Sequence, residues 1–200
     1  MTLPSFSAAL LAGGQSTRMG RDKALLTLPG SDLPLWHRQW RVLQELQPDE
    51  MFWSGPIRPG LPENIRIISD KIATAGPLAG ISACLDVSRS DLLVVLAIDL
   101  PEMTAAFLRD LLTHCSTDCG AVVRHGIFFE PLAAVYPRQL QALASDHLSQ
   151  GRYAMQDLVR EAITQGLLRD FPLDEKDAAL FKNMNNPSDW PGLSTHRVED

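Results

Sequence analysis

The feature that most constrains this chain is a short apolar run, Phe6 to Leu11, that ends in the pair Gly13-Gly14. An apolar stretch too short for a helix and closed by two glycines reads as a buried β-strand running into a bare-backboned loop. Such a backbone can approach a ligand closely and present N–H groups to anionic oxygens. The residues that follow sharpen the reading. Arg18, Arg21 and Lys23 place three cations within six residues, and no Asp or Glu occurs before Asp22. Elsewhere the balance is the reverse, since the chain carries 24 Asp and Glu against 18 Lys and Arg, a net charge of −6. The loop is therefore a positive island on an acidic protein, and phosphate is its natural partner. The overall charge argues against a nucleic-acid-binding face, which requires a basic surface.

The same strand-then-loop grammar recurs along the 200 residues. Met51–Trp53, Ile65–Ile68, Leu92–Ile98, Ala121–Val123 and Leu132–Tyr136 read as strands, and Leu92–Ile98 has the continuous apolar character of a strand covered on both faces. Leu35, Trp36, Trp40, Leu43 and Leu46 fall at helical spacing within 34–46 and are stopped by Pro48. Pro77 opens a second helix, Thr104 is a plausible N-cap for a third ending near Leu112, and 138–148 and 153–163 read as two more. Strands alternating with helices predict an α/β fold, a three-layer α/β/α sandwich with a mostly parallel, Rossmann-like sheet. No repeat or linker interrupts it, so residues 1–200 are expected to form one domain. The longest apolar run, Leu92–Ile98, falls far short of the ~20 residues that span a bilayer. Residues 1–17 lack the Lys or Arg of a secretory signal, so a cytoplasmic location without membrane attachment is expected.

Two familiar phosphate motifs are excluded by spacing. Five residues separate Gly14 from Gly20, and Lys23 is followed by Ala24, which does not match the Walker pattern. No G-x-G-x-x-G is present either. His114, Cys115 and Cys119 could be read as part of a metal site, but no second ligand pair follows, and reduced structural cysteines are the better reading.

Leu11-Ala-Gly-Gly-Gln-Ser-Thr-Arg-Met-Gly-Arg-Asp-Lys23 closely resembles the signature loop of the molybdenum cofactor guanylyltransferases. Ser69-Asp70, Gly76-Pro77-Leu78-Ala79-Gly80, Asp99-Leu100-Pro101, Glu130-Pro131-Leu132 and Asn183-Met184-Asn185-Asn186-Pro187 match further motifs of that family in order. The resemblance implies transfer of GMP from GTP to the terminal phosphate of molybdopterin, with release of pyrophosphate and with Mg²⁺ as cofactor. Joining two anions asks the protein for charge neutralisation and alignment, and Mg²⁺ is typically held by one or two carboxylates plus phosphate oxygens. By the resemblance, Asp99 binds the metal, Lys23 binds nucleotide phosphate and Arg18 stabilises the leaving pyrophosphate. Leu11, Ala12, Gly13 and Gly14 frame base and ribose through the backbone, Asp70 contacts the nucleotide, and Asn183 and Asn185 lie on the acceptor side. The segment Gly76, Pro77 and Leu78 offers helix N-terminal amides to an anion. Molybdoenzymes or other proteins of cofactor biosynthesis are the implied protein partners.

Local alternatives stand beside these roles: a turn cap for Asp99, an ion pair with Lys71 for Asp70, turn chemistry before Pro187 for the asparagines, and a solvated strand-edge carboxylate for Glu130. Gly13 favours a purine, because family members acting on cytidine nucleotides tend to carry Ala there. There are departures. The loop lacks a residue that some members carry between Gly20 and Asp22, and Ser54 stands where some relatives place Asn, which puts that nucleotide contact in doubt. Trp53 reads as core rather than as a stacking platform. The competing functions are a cytidylyltransferase on the same cofactor, a sugar-phosphate nucleotidyltransferase, and a nucleotide-binding module without catalysis. Joint retention of Lys23 and Asp99 argues against the last.

Overall fold

In the computed structural model, residues 3–13, 22–27, 32–69, 72 and 75–184 are described. They build one eight-stranded sheet in the order β3-β2-β1-β4-β7-β5-β6, with β8 paired to β5. The strands are β1 (Phe6–Leu11), β2 (Glu50–Ser54), β3 (Arg66–Ile68), β4 (Leu92–Ala97), β5 (Gly120–His125), β6 (Phe128–Phe129), β7 (Ala133–Pro137) and β8 (Leu168–Pro172). The helices are α1 (Leu35–Gln44), α2 (Pro77–Val87), α3 (Ala105–Thr113), α4 (Leu140–Ser149) and α5 (Met155–Thr164). β1 pairs in parallel with both β2 and β4, and β3 and β8 are parallel to their neighbours. β7 is antiparallel to both β4 and β5, and β6 to β5. The expected mostly parallel sheet is therefore present, with β6 and β7 running against the rest.

Helices cover both faces of the sheet, giving the expected three layers. On one face Leu35, Trp36, Trp40 and Leu43 of α1 and Leu108, Leu111 and Leu112 of α3 pack on Ala8, Leu10, Trp53 and Val94. On the other, Leu78, Ile81 and Leu85 of α2 and Leu158, Val159 and Ala162 of α5 pack on Ala9, Phe52, Leu93 and Val95. Alternate residues of β1 and β4 serve opposite cores, which is why β4 is apolar throughout and β1 is apolar but for the buried Ser7. Trp53 is fully buried, as read from the sequence, and its ring meets Trp36 edge-on at 5.9 Å. This tryptophan packing fixes α1 against β2. The Thr104 hydroxyl accepts the Phe107 amide at 3.2 Å, so the expected N-cap of α3 is in place.

The chain leaves β1 towards α1 on one face and enters β4 from α2 on the other. The crossovers thus reverse between β1 and β4, and the carboxyl ends of these two strands flank the crevice where α/β sheets bind ligands. Two strands went unread in the sequence. β8 reads Leu-Arg-Asp-Phe-Pro and shows little apolar alternation, and β6 has only two residues. Among the described residues no helix is long and apolar enough to cross a membrane.

Candidate functional site

Three chain segments converge beyond the carboxyl ends of β1 and β4. The first is the exit of β1. The Ala12 amide donates to the Ser54 carbonyl at 2.7 Å and the Ile98 amide to the Leu11 carbonyl at 3.1 Å, which continues the sheet pairing one step past the strands. Leu11 and Ala12 keep their side chains in the two cores, while Gly13 emerges exposed. A Cβ on Gly13 would find only ordinary contacts, at 3.9 Å from the Gly55 Cα and 4.0 Å from the Ser54 carbonyl oxygen. The fold therefore does not require a glycine at this position. Ser54, whose side chain was doubtful as a nucleotide contact, is 3% exposed and holds Ala12 through its main chain.

The second segment starts at Asp22. Its Oδ1 accepts the Ala24 amide at 3.0 Å and so caps a 3-10 turn, Lys23–Leu25. This cap sets Lys23 at the head of the turn, while Ala24 inserts into the core.

The third segment follows β4 and carries Asp99. Its Oδ1 is buried and makes no hydrogen bond. Burial pushes the Asp99 carboxyl above its ordinary pKa, and the nearby Lys23 ammonium pulls in the opposite direction. Such an underserved carboxyl group beside a lysine is costly to the fold, which makes Asp99 a candidate for contact with a ligand. The loop around it is well held. Arg38 Nε of α1 donates to the Pro101 carbonyl at 2.7 Å, and the amide of the fully buried Gln39 donates to the Leu100 carbonyl. From the C-terminal side, the Met184 amide donates to the Asp99 carbonyl at 3.1 Å, with Met184 buried and Asn183 exposed beside it. The structure thus brings Gly13, Lys23, Asp99 and Asn183 to one edge of the sheet.

Other nominated residues are placed as follows. Gly76 precedes α2 with φ +62°, a left-handed conformation that suits glycine, and Pro77 takes the first helical position. The Leu78 side chain is fully buried in the core, so only its main chain could meet a ligand. Glu130 is not the solvated carboxylate expected from its position at a strand edge. Its side chain is 24% exposed and 3.8 Å from His125 Nδ1, and burial raises its pKa. His114 packs on Phe171 at the sheet's other edge, and the Cys115 thiol donates to the Leu111 carbonyl at 3.4 Å. Burial pushes that thiol up to about 12. Gly14, Arg18, Asp70 and Asn185 lie outside the described residues.

Three supporting residues were missed by sequence reasoning: Arg38, Gln39 and Arg58. Gln39 could have been found, because it falls on the apolar stripe of α1 between Trp36 and Trp40. A polar residue on such a stripe has to satisfy its amide inside the protein.

Comparison with known proteins follows the same lines. The profile of the MobA-like NTP transferase domain matches residues 8–166. The chain belongs to that family. A probable molybdenum cofactor guanylyltransferase from Opitutus terrae is 38% identical over 190 residues, covering 92% of this chain and 93% of the relative. A molybdenum cofactor guanylyltransferase from Pseudomonas putida strain GB-1 is 33% identical over 193 residues, covering 92% and 95%. Among solved structures, molybdopterin-guanine dinucleotide biosynthesis protein A from Archaeoglobus fulgidus superposes with a TM-score of 0.69 at 23% identity, covering 92% and 94%. A nucleotidyl transferase from Methanothermobacter superposes with a TM-score of 0.72 at 18% identity, covering 92% and 94%. These two structures share the fold.

Proposed function

We propose that this chain, acting as one domain in the cytoplasm, transfers GMP from GTP to the terminal phosphate of molybdopterin and releases pyrophosphate. The observation that carries the proposal is the desolvated Asp99 carboxylate facing Lys23 at the crevice between β1 and β4. Its relatives named as molybdenum cofactor guanylyltransferases support GTP as the nucleotide and molybdopterin as the acceptor. A phosphate oxygen of molybdopterin attacks the α-phosphorus. A new P–O bond forms as the bond from the α-phosphorus to the α–β bridging oxygen breaks, and pyrophosphate leaves with that oxygen.

The residues contribute charge and alignment. The Lys23 ammonium binds nucleotide phosphate, and Arg18 takes up charge on the leaving pyrophosphate. The main chain of Gly13 and the carbonyl of Ala12, with Gly14, hold the nucleoside, and the α2 N-terminus at Gly76, Pro77 and Leu78 offers the amides of Gly76 and Leu78. Asp70 contacts the nucleotide. Asn183 and Asn185 orient the pterin by uncharged hydrogen bonds, which add no repulsion to a polyanionic pair.

The donor set suits Mg²⁺. Asp99 offers a carboxylate oxygen without a hydrogen bond, and among the described residues no cluster of three or more His, Cys, Asp or Glu could form a closed metal cage. One carboxylate completed by phosphate oxygens and water is the arrangement Mg²⁺ commonly takes. When bound, the ion supplies charge neutralisation on the phosphates. The product passes to molybdoenzymes or to other proteins of cofactor biosynthesis.

The test is a competition assay with molybdopterin, Mg²⁺ and each of the four nucleoside triphosphates, reading pyrophosphate. GTP alone should turn over well. A preference for CTP would replace the guanylyl reading with the cytidylyl one, and no turnover with any nucleotide would favour a binding module.

A further inference from the structure

Arg58 lies in the loop after β2, and its side chain is only 6% exposed. A guanidinium this deep has to be answered by partners, because an unpaired buried charge is strongly destabilising. Its Nε meets Asp22 Oδ2 at 2.7 Å, Nη1 donates to the Pro56 carbonyl at 3.3 Å, and its central carbon stands 5.6 Å from the Trp53 ring centroid. The Asp22 carboxylate is thus shared. Oδ1 caps the turn that begins with Lys23, and Oδ2 ties that turn to Arg58.

The same loop also holds the chain where it leaves β1. The Ser54 carbonyl accepts the Ala12 amide at 2.7 Å. Gly55, with φ +146°, lies so close that an added Cβ would stand 2.6 Å from both the Ala12 carbonyl carbon and the Gly13 nitrogen. Residues 54–58 therefore grip the nucleotide-binding segment at Ala12–Gly13 and again at Asp22.

We propose that Arg58 is a positioning residue for Lys23: through Asp22 it fixes where the Lys23 ammonium stands relative to Gly13 and Asp99, without touching substrate. The proposal rests on the reading of Lys23 as a phosphate ligand. A stabilising role alone would not call for burying a guanidinium against the part-exposed Asp22, since apolar packing of similar volume serves as well. A cation that must stand at one place beside developing charge does call for one, because a displacement of ~1 Å costs on the order of 10²-fold in rate.

The test uses three single variants of the full chain and the double variant Arg58→Met with Asp22→Asn. Arg58→Met keeps the stem against Trp53 and loses the charge. Asp22→Asn keeps the Oδ1 cap and loses the ion pair. Arg58→Lys restores the charge with a different geometry. Each is measured for kcat and KM with GTP, Mg²⁺ and molybdopterin, for equilibrium nucleotide affinity, and again in a Lys23→Ala background. Arg58→Met and Asp22→Asn should each lower kcat/KM for the nucleotide by ~10- to 100-fold. The double variant should be little worse than either single one. Arg58→Lys should recover part of the loss, and Arg58→Met should add less than about twofold in the Lys23→Ala background. An equal loss in both backgrounds would reduce Arg58 to a structural role and overturn the proposal. An unchanged kcat/KM would do the same. If Arg58→Met does not fold, Asp22→Asn carries the test alone. Failure of the wild-type chain to use GTP would sink the functional reading instead. The positioning role would then be judged by affinity for the tightest-binding of the four triphosphates, and equal affinity in Asp22→Asn and wild type would refute it.

Discussion

The two edges of the sheet differ at one carboxyl group, Asp99. At the amino edge, polar side chains answer one another. The buried Ser7 hydroxyl donates to Ser90 at 2.9 Å and accepts from Ser88 at 3.0 Å, Ser5 donates to Asp91 at 2.7 Å, and Glu50 takes Arg66 at 2.6 Å and the Arg89 amide at 2.9 Å. At the carboxyl edge, Asp99 has a buried oxygen with no hydrogen bond and a pKa raised by burial. One edge uses polarity to hold β1, β2, β3 and β4 together. The other leaves one oxygen of Asp99 without a hydrogen bond. On the function proposed above, that unanswered oxygen is where the fold meets its ligand.

The sharpest break of this contrast is mutation of the deficient edge. Asp99→Asn and Lys23→Ala should each lower turnover by at least ~10²-fold while leaving the fold intact, as expected when charge stabilisation is lost. Pyrophosphate release alongside circular dichroism checks both halves. Near-normal turnover in Asp99→Asn would show that the metal carboxylate lies elsewhere.

A finer probe of the same edge is Gly13→Ala. The added methyl meets only ordinary contacts at 3.9 and 4.0 Å, so stability should move by no more than ~0.5 kcal/mol. Use of GTP should nonetheless fall by ~10-fold or more against CTP, the range that one methyl group commands in a fitted pocket. Equal kcat/KM ratios for the two nucleotides before and after substitution would remove Gly13 from base selection.

This asymmetry also explains what could be read from the sequence. β1, β4 and the helices declared themselves through apolar period and caps, and the crevice followed from the glycines after β1 and the Asp99 after β4. The reversal of β7 was hidden, because a buried apolar strand such as Ala133–Pro137 reads the same in either direction. The 3-10 stretch Glu175–Phe181 lacks a helical stripe, yet it delivers Met184 to the Asp99 carbonyl. Lys23, Asp99 and Asn183 were nominated through their motifs. The groups that hold the site, Arg58 on Asp22 and Gln39 on Leu100, act across 36 and 61 residues of sequence, and no local pattern encodes such pairs.

The amino edge should fail in the other currency. Ser7→Ala removes a fully buried hydroxyl from between Ser88 and Ser90 and leaves their hydroxyls short of a partner. The expected cost is ~1–3 kcal/mol of stability, or a melting temperature lower by ~2–4 °C per kcal/mol for a chain of this size. Turnover per folded molecule should not change. A loss of kcat at unchanged stability would mean that the two edges are not separate in role.

The smallest effect tests both edges in one measurement, the pH dependence of stability in the nucleotide-free protein with chelator present. Burial raises the folded-state pKa of Asp99, with Lys23 opposing it only in part. A carboxyl raised in this way favours the folded state most below its unfolded pKa, and that contribution is lost as pH rises through the folded value. Wild type should therefore lose stability over that interval in a way that Asp99→Asn does not. The variant should melt higher than wild type near neutrality, and the gap should close towards acid. The opposite slope, with wild type gaining on Asp99→Asn as pH rises, would mean that Lys23 fully answers the carboxylate, and the carboxyl edge would then be as self-satisfied as the amino edge.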